Sequence, residues 1–314
     1  MPKPIVVVGS INVDLVATAE RMPAVGETVS GRTFQTFFGG KGANQAVAIA
    51  RLSHPVCMIG KVGDDAFGPQ LRQGLATAGV DVAAVEATAG SSGVALVLTN
   101  RQGANSIIVV AGANGQMSTD DLAKYRSLIE TAGMVLTQLE IPMPVVEYLA
   151  QITKSLRIPL MLDPAPARPL SRALLQGLDW ITPNETEVRV LLNMRDGDLS
   201  LDAACQAAEE LLRCGPRNVL LKLGERGAFL ALDNGQRILI PAYPVNAVDT
   251  TAAGDAFNGV FALGLVSGKS PEESAHYAAA AAAISVTRHG AQPSMPRADE
   301  VKAFLETINA ATDG

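Results

Sequence analysis

In the stretch DTTAAGDAFNG, Asp249 to Gly259, Asp255 follows a run of small residues and leads into an apolar segment of helical length. Small side chains where a helix begins leave backbone N–H groups uncovered. Together with the positive end of the helix dipole they make a place for an anion. A carboxylate in that first turn has two readings: it can compensate the helix dipole, or it can take a proton from a group held beside a bound phosphate. A second stretch, FFGGKGANQA, opens another helix after a glycine pair. Glycine lets the backbone approach a ligand closely, and Lys41 and Asn44 add polar reach. The plainer reading is a loop-to-helix turn with a solvated lysine. In TPNETE, Asn184 and Glu187 are three apart and share a helix face. By themselves they read first as an N-cap with its capping-box acid; the alternative is a pair able to hold a hydrated Mg²⁺, which keeps several waters and needs few protein ligands. KLGERGA, Lys222 to Ala228, is by itself an ordinary glycine-containing turn.

Two familiar nucleotide motifs are absent. The first apolar run ends in GSINVD, without the GxGxxG of dinucleotide-binding folds. Around Lys41 a phosphate-binding P-loop fails as well, because Gln35 stands where its first glycine belongs and Ala43 where a Ser or Thr is needed nearby. The small-residue helix start before Asp255 is then the best remaining phosphate site.

The elements that must position these residues alternate. PIVVVGS reads as a buried strand, GANQAVAIARL as a helix, VCMIGKV as a strand and DDAFGPQLRQGLATAG as a helix. Helices are predicted near 119–131, 143–155, 184–193, 200–213, 252–267 and 271–287, and strands near 134–138, 159–163, 179–182 and 218–222, with an Asn-Gly hairpin over 227–240. This alternation predicts an α/β fold, a doubly wound, mostly parallel sheet flanked by helices. Two strand-like interruptions, 13–38 and 82–110, the second containing a hairpin around RQGA, are predicted to pair into a small projecting β-sheet. The whole of 1–314 then forms a single domain.

Composition agrees. Apolar residues make up 48% and charged residues 18%, enough for a large core, while aromatics are only 4%. With 25 Lys and Arg against 31 Asp and Glu, the formal charge is −6, and no dense basic run suggests nucleic acid. Cys57, Cys205 and Cys214 are few and far apart, and His54, His276 and His289 have no metal-ligand spacing. No apolar run reaches a membrane span of ~18 residues, and the apolar start is short for a signal peptide. A soluble cytoplasmic protein is expected.

Taken together and in this order, the motifs resemble the PfkB-type sugar kinases, and within them the ribokinase branch. GGKGANQAVAIARL and DTTAAGDAFNGVFA are similar to that family's two signature regions, and the likeness runs from VVVGSINVDLV to VTRHGAQPSMP through PAVGETVSG, QLEIP, DPAPA and TPNETE. The resemblance implies a ribokinase-like α/β domain whose small sheet is a lid that also forms a homodimer contact. It implies transfer of phosphate from ATP to O5 of D-ribose, with Mg²⁺, and activation by K⁺.

By motif position, the resemblance implies that Asn12, Asp14, Gly40, Lys41, Gly42, Asn44 and Glu140 hold the sugar and that Asp255 is the catalytic base. Ala252, Ala253 and Gly254 then supply N–H groups to the transferring phosphoryl. Asn184 belongs beside the phosphates and Glu187 near Mg²⁺ through water. The nucleotide lies along Lys222, Leu223, Gly224, Glu225, Arg226 and Gly227, with Ala279 beside the adenine. Asp249, Thr251, Ser285, Arg288, Gly290 and Ser294 match the K⁺ loops, largely through backbone carbonyls. Lys222 departs from the threonine common in the branch, Ala279 offers the adenine no side-chain hydrogen bond, and Ala253 stands where the wider family often has glycine. Competing expectations are a kinase for deoxyribose, a nucleoside or another sugar, and a non-catalytic sugar-binding protein on the same fold.

Overall fold

The computed structural model describes residues 2–101, 104–195, 197 and 199–312. The chain opens with β1 (Ile5–Val8), β2 (Asn12–Ala19) and β3 (Gly31–Gly39), then α1 (Lys41–Arg51), β4 (Val56–Gly63), α2 (Phe67–Thr77) and β5 (Asp81–Thr88). β6 (Gly93–Thr99) and β7 (Asn105–Val110) precede a short 3-10 turn at Gly112–Gln116. The middle of the chain carries α3 (Thr119–Lys124), α4 (Arg126–Glu130), β8 (Met134–Thr137), α5 (Met143–Leu156), β9 (Leu160–Leu162), α6 (Arg172–Leu175), β10 (Trp180–Ile181), α7 (Glu185–Leu191) and α8 (Leu201–Cys214). It ends with β11 (Asn218–Lys222), β12 (Ala228–Leu232), β13 (Arg237–Ile240), α9 (Ala253–Val266), α10 (Pro271–Ser285) and α11 (Ala298–Thr312). Among the described residues no helix is long and apolar enough to cross a membrane.

A nine-stranded sheet runs in the order β13-β12-β11-β10-β9-β8-β1-β4-β5. Its strands from β11 to β5 pair in parallel, and β12 and β13 add an antiparallel edge. β1 (IVVV) is buried at every position. Its alternate side chains serve two cores: Ile5 and Val7 pack with α1, α9 and α10, while Val6 and Val8 pack with α5 and α8. This is the doubly wound architecture expected, and its strand order reverses between β1 and β8, where such folds open a crevice.

A separate four-stranded sheet has the order β3-β2-β6-β7. One boundary differs from expectation. Residues 82–88 were expected in the small sheet, yet β5 pairs in parallel with β4 at the edge of the large one. The reason is the preceding helix: β4, α2 and β5 form a βαβ unit, and a strand returning from a crossover helix docks beside the strand that fed it. The hairpin of β6 and β7 is present, while Gln102 and Gly103 of its expected RQGA turn lie outside the described residues. The helix expected over 119–131 is two, separated at Tyr125 (φ −100°), whose hydroxyl donates to Glu86. α11 was not foreseen, because Pro293 and Pro296 mark the end of the regular pattern just before it.

Helix–helix approach decides where the site residues meet. α9 crosses α1 at Gly259, where a Cβ would lie 2.8 Å from the carbonyl oxygen of Gln45. Only glycine permits this contact, and it places the start of α9 against Asn44 and Gln45. Behind it, α10 is capped by Ser270 with Pro271 and Glu273 in its first turn. Its alanine run packs on α9, where Gly264 leaves room for Ser274.

Candidate active site

Several polar residues of the site follow the carboxyl ends of parallel strands. Ser10 follows β1, Gln138 and Glu140 follow β8, Asp163 follows β9, Asn184 follows β10, and Lys222 closes β11. At the reversal point Ser10 Oγ donates to Glu140 Oε2, which also accepts the N–H of Lys41 at 3.1 Å. Thus β1, β8 and the start of α1 are tied together where the crevice opens.

Gly40 and Gly42 make that junction possible. Gly40 has φ +89°, and a Cβ there would lie 2.8 Å from the Asn12 nitrogen. At Gly42 a Cβ would lie 2.8 Å from the Ser10 nitrogen. Asn12, at the start of β2, is buried, and its Oδ1 accepts from Asn114 Nδ2 at 2.7 Å. Asn114 in turn holds both backbone polar groups of Ile11. Asp14 lies against Gly39, where a Cβ would come within 2.3 Å of its carboxylate. Burial, then the charges of Glu140 and Asp255, push the Asp14 carboxyl up to about 6. The charges of Asp14, Lys41, Glu140 and Asp255 thus act on one another, and Asn44 is bonded to Asp255.

Asp255 lies in the first turn of α9 and is 4% exposed. Oδ2 accepts from Asn44 Nδ2 at 3.0 Å and Oδ1 from Gln45 Nε2 at 3.2 Å. Burial is the largest influence on its carboxyl, raising the pKa to about 6 against the opposing charge of Lys41 and with help from Asp163. Lys41 feels the opposite balance: burial would discharge it, but Asp255, Asp163, Glu140 and Glu187 together raise its pKa above the usual lysine value. The Asn44 Oδ1 is buried with no partner among the described residues, an acceptor available to a hydroxyl.

The helix start is built by Ala252, which adopts φ +59°. The N–H groups of Ala252, Gly254 and Asp255 have no partner among the described residues, as an anion site requires. Ala253, expected in that donor set, differs: its N–H donates to the Thr250 carbonyl at 3.2 Å. The turn at Ala252 redirects it.

A cavity of about 450 Å³ lies over this helix start, lined among others by Lys41, Asp163, Asn184, Glu187, Lys222 and Asp255. Asn184 and Glu187 form a complete capping box: Glu187 N donates to Asn184 Oδ1 at 2.8 Å, and Glu187 accepts from Asn184 N at 2.7 Å. The capping reading of TPNETE holds, and the capped turn also walls the cavity. Burial is the main influence on Glu187, raising its pKa. Lys222 Nζ is paired with Asp163 Oδ1 at 3.0 Å and comes 3.5 Å from where a Gly254 Cβ would be. Gly224 lines the same cavity. Leu223 is buried in the core, Arg226 is held by Glu185 and the Leu199 carbonyl, and Glu225 is exposed. Gly227 has φ +92° where a Cβ would strike the Ile240 carbonyl, and Ala279 is buried on α10.

Of the residues matched to the cation loops, Asp249, Thr251 and Gly290 are joined by hydrogen bonds. Asp249 accepts the N–H of Thr251 at 2.9 Å and of Gly290 at 2.8 Å, and its own N–H reaches the Val286 carbonyl at 3.1 Å. Ser285 and Ser294 spend their hydroxyls on the carbonyls of Ala282 and Ala291, and Arg288 pairs with Glu300 at 2.6 Å.

Four polar residues were missed as site members: Asp163, Asn114, Gln45 and Gln138. Asp163 and Gln138 carried a readable signal, a polar residue at the carboxyl end of a short apolar strand. Gln45 looked like part of a helix face, and Asn114 lies in a turn with no local pattern.

A buried carboxylate, helix-start N–H groups with no partner among the described residues, two lysines and a capped acidic turn meet around one cavity of a doubly wound fold. The chain matches the family described as pfkB family carbohydrate kinase over residues 3–298, and it belongs to that family. A ribokinase from Schizosaccharomyces pombe is 42% identical over 305 residues, covering 95% of this chain and 96% of the relative. A deoxyribokinase from Salmonella typhi is 37% identical over 303 residues, covering 96% and 98%. The structure of Arabidopsis thaliana ribokinase complexed with ribose and ATP superimposes with a TM-score of 0.90 at 38% identity, covering 97% of this chain and 99% of that one.

Proposed function

We propose that this protein transfers the γ-phosphoryl group of ATP to O5 of D-ribose, giving ribose 5-phosphate and ADP. The observation that carries the reading is Asp255. It is buried and ionisable, held by Asn44 and Gln45, and lies among the free N–H groups of the helix start, over a cavity. Full-length likeness to ribokinases supports the sugar.

Asn12, Asp14, Gly40, Lys41, Gly42, Asn44 and Glu140 hold the sugar. Asp255 accepts the proton of its primary hydroxyl, and the N–H groups of Ala252 and Gly254 stabilise the phosphoryl oxygens. Phosphoryl transfer depends on in-line placement and charge stabilisation more than on covalent chemistry. The small sheet closes over the sugar and keeps water from the phosphoryl group. The nucleotide extends past Lys222 and Gly224 towards Gly227, with Ala279 beside the base.

The residues fit a hydrated Mg²⁺. Both Glu187 oxygens already accept from Asn184, which suits contact through water, and among the described residues no three acidic, His or Cys side chains form a cage. ATP phosphates would complete the shell, and the ion would neutralise charge on them. For K⁺, Asp249 braces the loops at Thr251 and Gly290, and the ligands would be backbone carbonyls near Ser285, Arg288 and Ser294, whose side chains are engaged elsewhere. We place the protein in the cytoplasm, which its free cysteines suit.

A coupled ADP-release assay across ribose, deoxyribose, other pentoses, hexoses and nucleosides tests this reading. Ribose-dependent turnover is expected; turnover only with another sugar, or ribose binding without ADP, would overturn it. Deoxyribose is the second reading, favoured by the Salmonella relative. Asn12 and Asp14 favour a sugar bearing adjacent hydroxyls, because buried polar groups left unpaired penalise the analogue lacking one.

The carboxyl shifts set the pH dependence. A base works only when ionised, so activity is lost as pH falls through its pKa. With Asp14 and Asp255 both near 6, kcat/KM should fall below about pH 6, more steeply than for one proton. A profile flat down to pH 5 would contradict the assignment.

The small sheet supplies a dimer contact. β7 is an edge strand exposed along its length, with Ile107, Ile108, Val109 and Val110 between 46% and 63% exposed. Unpaired apolar edges of this kind seek a partner. Ile108→Glu is expected to turn a dimer into a monomer by light scattering; a wild-type monomer at micromolar concentration would sink the idea.

A further inference from the structure

Gln45 is a buried glutamine on α1, 1% exposed, facing neither solvent nor the apolar core alone. Its Nε2 donates to Asp163 Oδ2 at 3.1 Å and to Asp255 Oδ1 at 3.2 Å. Its Oε1 accepts from Gln138 Nε2 at 2.8 Å. Both amide hydrogens are thus spent on carboxylates, which only accept. Turned over, the amide would aim its carbonyl at two carboxylates, so chemistry dictates this orientation. Gln138 is confined in turn: at Gly9, behind it, any Cβ would lie 2.1 Å from Gln138 Oε1. Gly9 makes room for Gln138, Gln138 pins Gln45, and Gln45 joins the two carboxylates.

We infer that Gln45 is a positioning residue for phosphoryl transfer: its amide, locked by Gln138, fixes Asp255 and Asp163 relative to each other and aims Asp255 into the cavity. The inference rests on Asp255 being the base. Two acids that share one amide are held apart at a set distance, and the donor favours the ionised form of Asp255. Asp163 also carries the ion pair to Lys222, so the same amide links the base to the cation beside the helix start. The charged groups facing Asp255 are Asp163 from the loop after β9, Lys41 from α1 and Asp14 from β2. Glu187 and Lys222 lie further round the cavity, and Glu140 is bonded to Ser10 and the Lys41 N–H. Among the donors to Asp255, Gln45 and Asn44 both lower its pKa against burial. Gln45 is the one that also bonds a second carboxylate.

The test compares Gln45→Leu, which removes the donors, with Gln45→Glu, which keeps the shape and replaces them by an acid. Ribose-dependent ADP release is followed from about pH 5 to about pH 9, bracketing the base. In Gln45→Leu the acid limb of kcat should move up by about one pH unit, with activity recovering at high pH, and in Gln45→Glu it should move further. The KM for ribose should change far less than kcat at neutral pH. An acid limb at the wild-type position, or a kcat lowered by the same factor at every pH, would overturn the inference. If neither variant melts as a folded protein, Gln138→Leu leaves Gln45 in place with its amide free to turn. It should move the limb in the same direction by less, and an unmoved limb counts against the proposal. Titration of the Asp255 carboxyl by NMR in the free protein makes the same comparison without turnover. A wild type that does not phosphorylate ribose would then sink the functional reading while this measurement still decides the role of Gln45.

Discussion

Asp255→Asn is expected to lower kcat by ~10²–10⁴, the range lost when a general base is removed, while ribose still binds with nearly wild-type affinity. The side chain keeps its shape, so the effect should fall on proton transfer. The amide has one acceptor where the carboxylate had two. Since Asn44 and Gln45 both present N–H groups to it, one end of the new amide must face a donor. That mismatch costs about 1 kcal/mol. Against it stands the release of a buried charge, because burial is what raises the Asp255 pKa. At neutral pH the ionised carboxylate is held in the fold at a cost that grows above its unfolded pKa, and the amide removes that cost. The variant should therefore melt at or above the wild-type temperature. Calorimetry with ribose, thermal melting and ADP release separate the outcomes: a turnover like wild type would show that Asp255 is a helix-dipole acid only.

Much of this was readable before any coordinates. The strand–helix alternation carried the doubly wound sheet, because parallel strands buried on both faces must be apolar runs and their crossover helices must be amphipathic. The site was readable where chemistry is local. Gly40, Gly42, Asn184, Glu187 and Asp255 each belong to a turn or helix start whose geometry follows from neighbouring residues. Residues joined through space were not. Asp163 and Gln45 are 118 positions apart and meet only because β9 ends and α1 begins at the same edge of the sheet. The use of the Ala253 N–H depends on the left-handed turn at Ala252, which the run of small residues permits without specifying. The edge assignment of β5 likewise rested on which of two sheets the strand joins, and alternating burial looks the same in either.

Lys222→Met should be the most destabilising single change in the site, by about 3–5 kcal/mol. Lys222 and Asp163 have side chains only 12% and 3% exposed, so removing the lysine leaves a buried carboxylate supported by the Gln45 amide and the field of Lys41, without its own ion-pair partner. Removing both charges gives the decisive comparison. Lys222→Thr combined with Asp163→Asn replaces the pair by neutral groups of smaller or similar size, and replacing a whole buried pair is often close to neutral for stability. Most of the lost stability should return, but turnover should not. Lys222 Nζ lies 3.5 Å from the Cβ position at Gly254, beside free N–H groups where phosphoryl charge would gather. Removing a preorganised cation from such a place weakens transition-state stabilisation however well the protein folds. If the double variant were both stable and fully active, Lys222 would be a structural partner of Asp163 and nothing more. If the single variant were as stable as wild type, the pair would be too well hydrated for the buried-charge argument to hold.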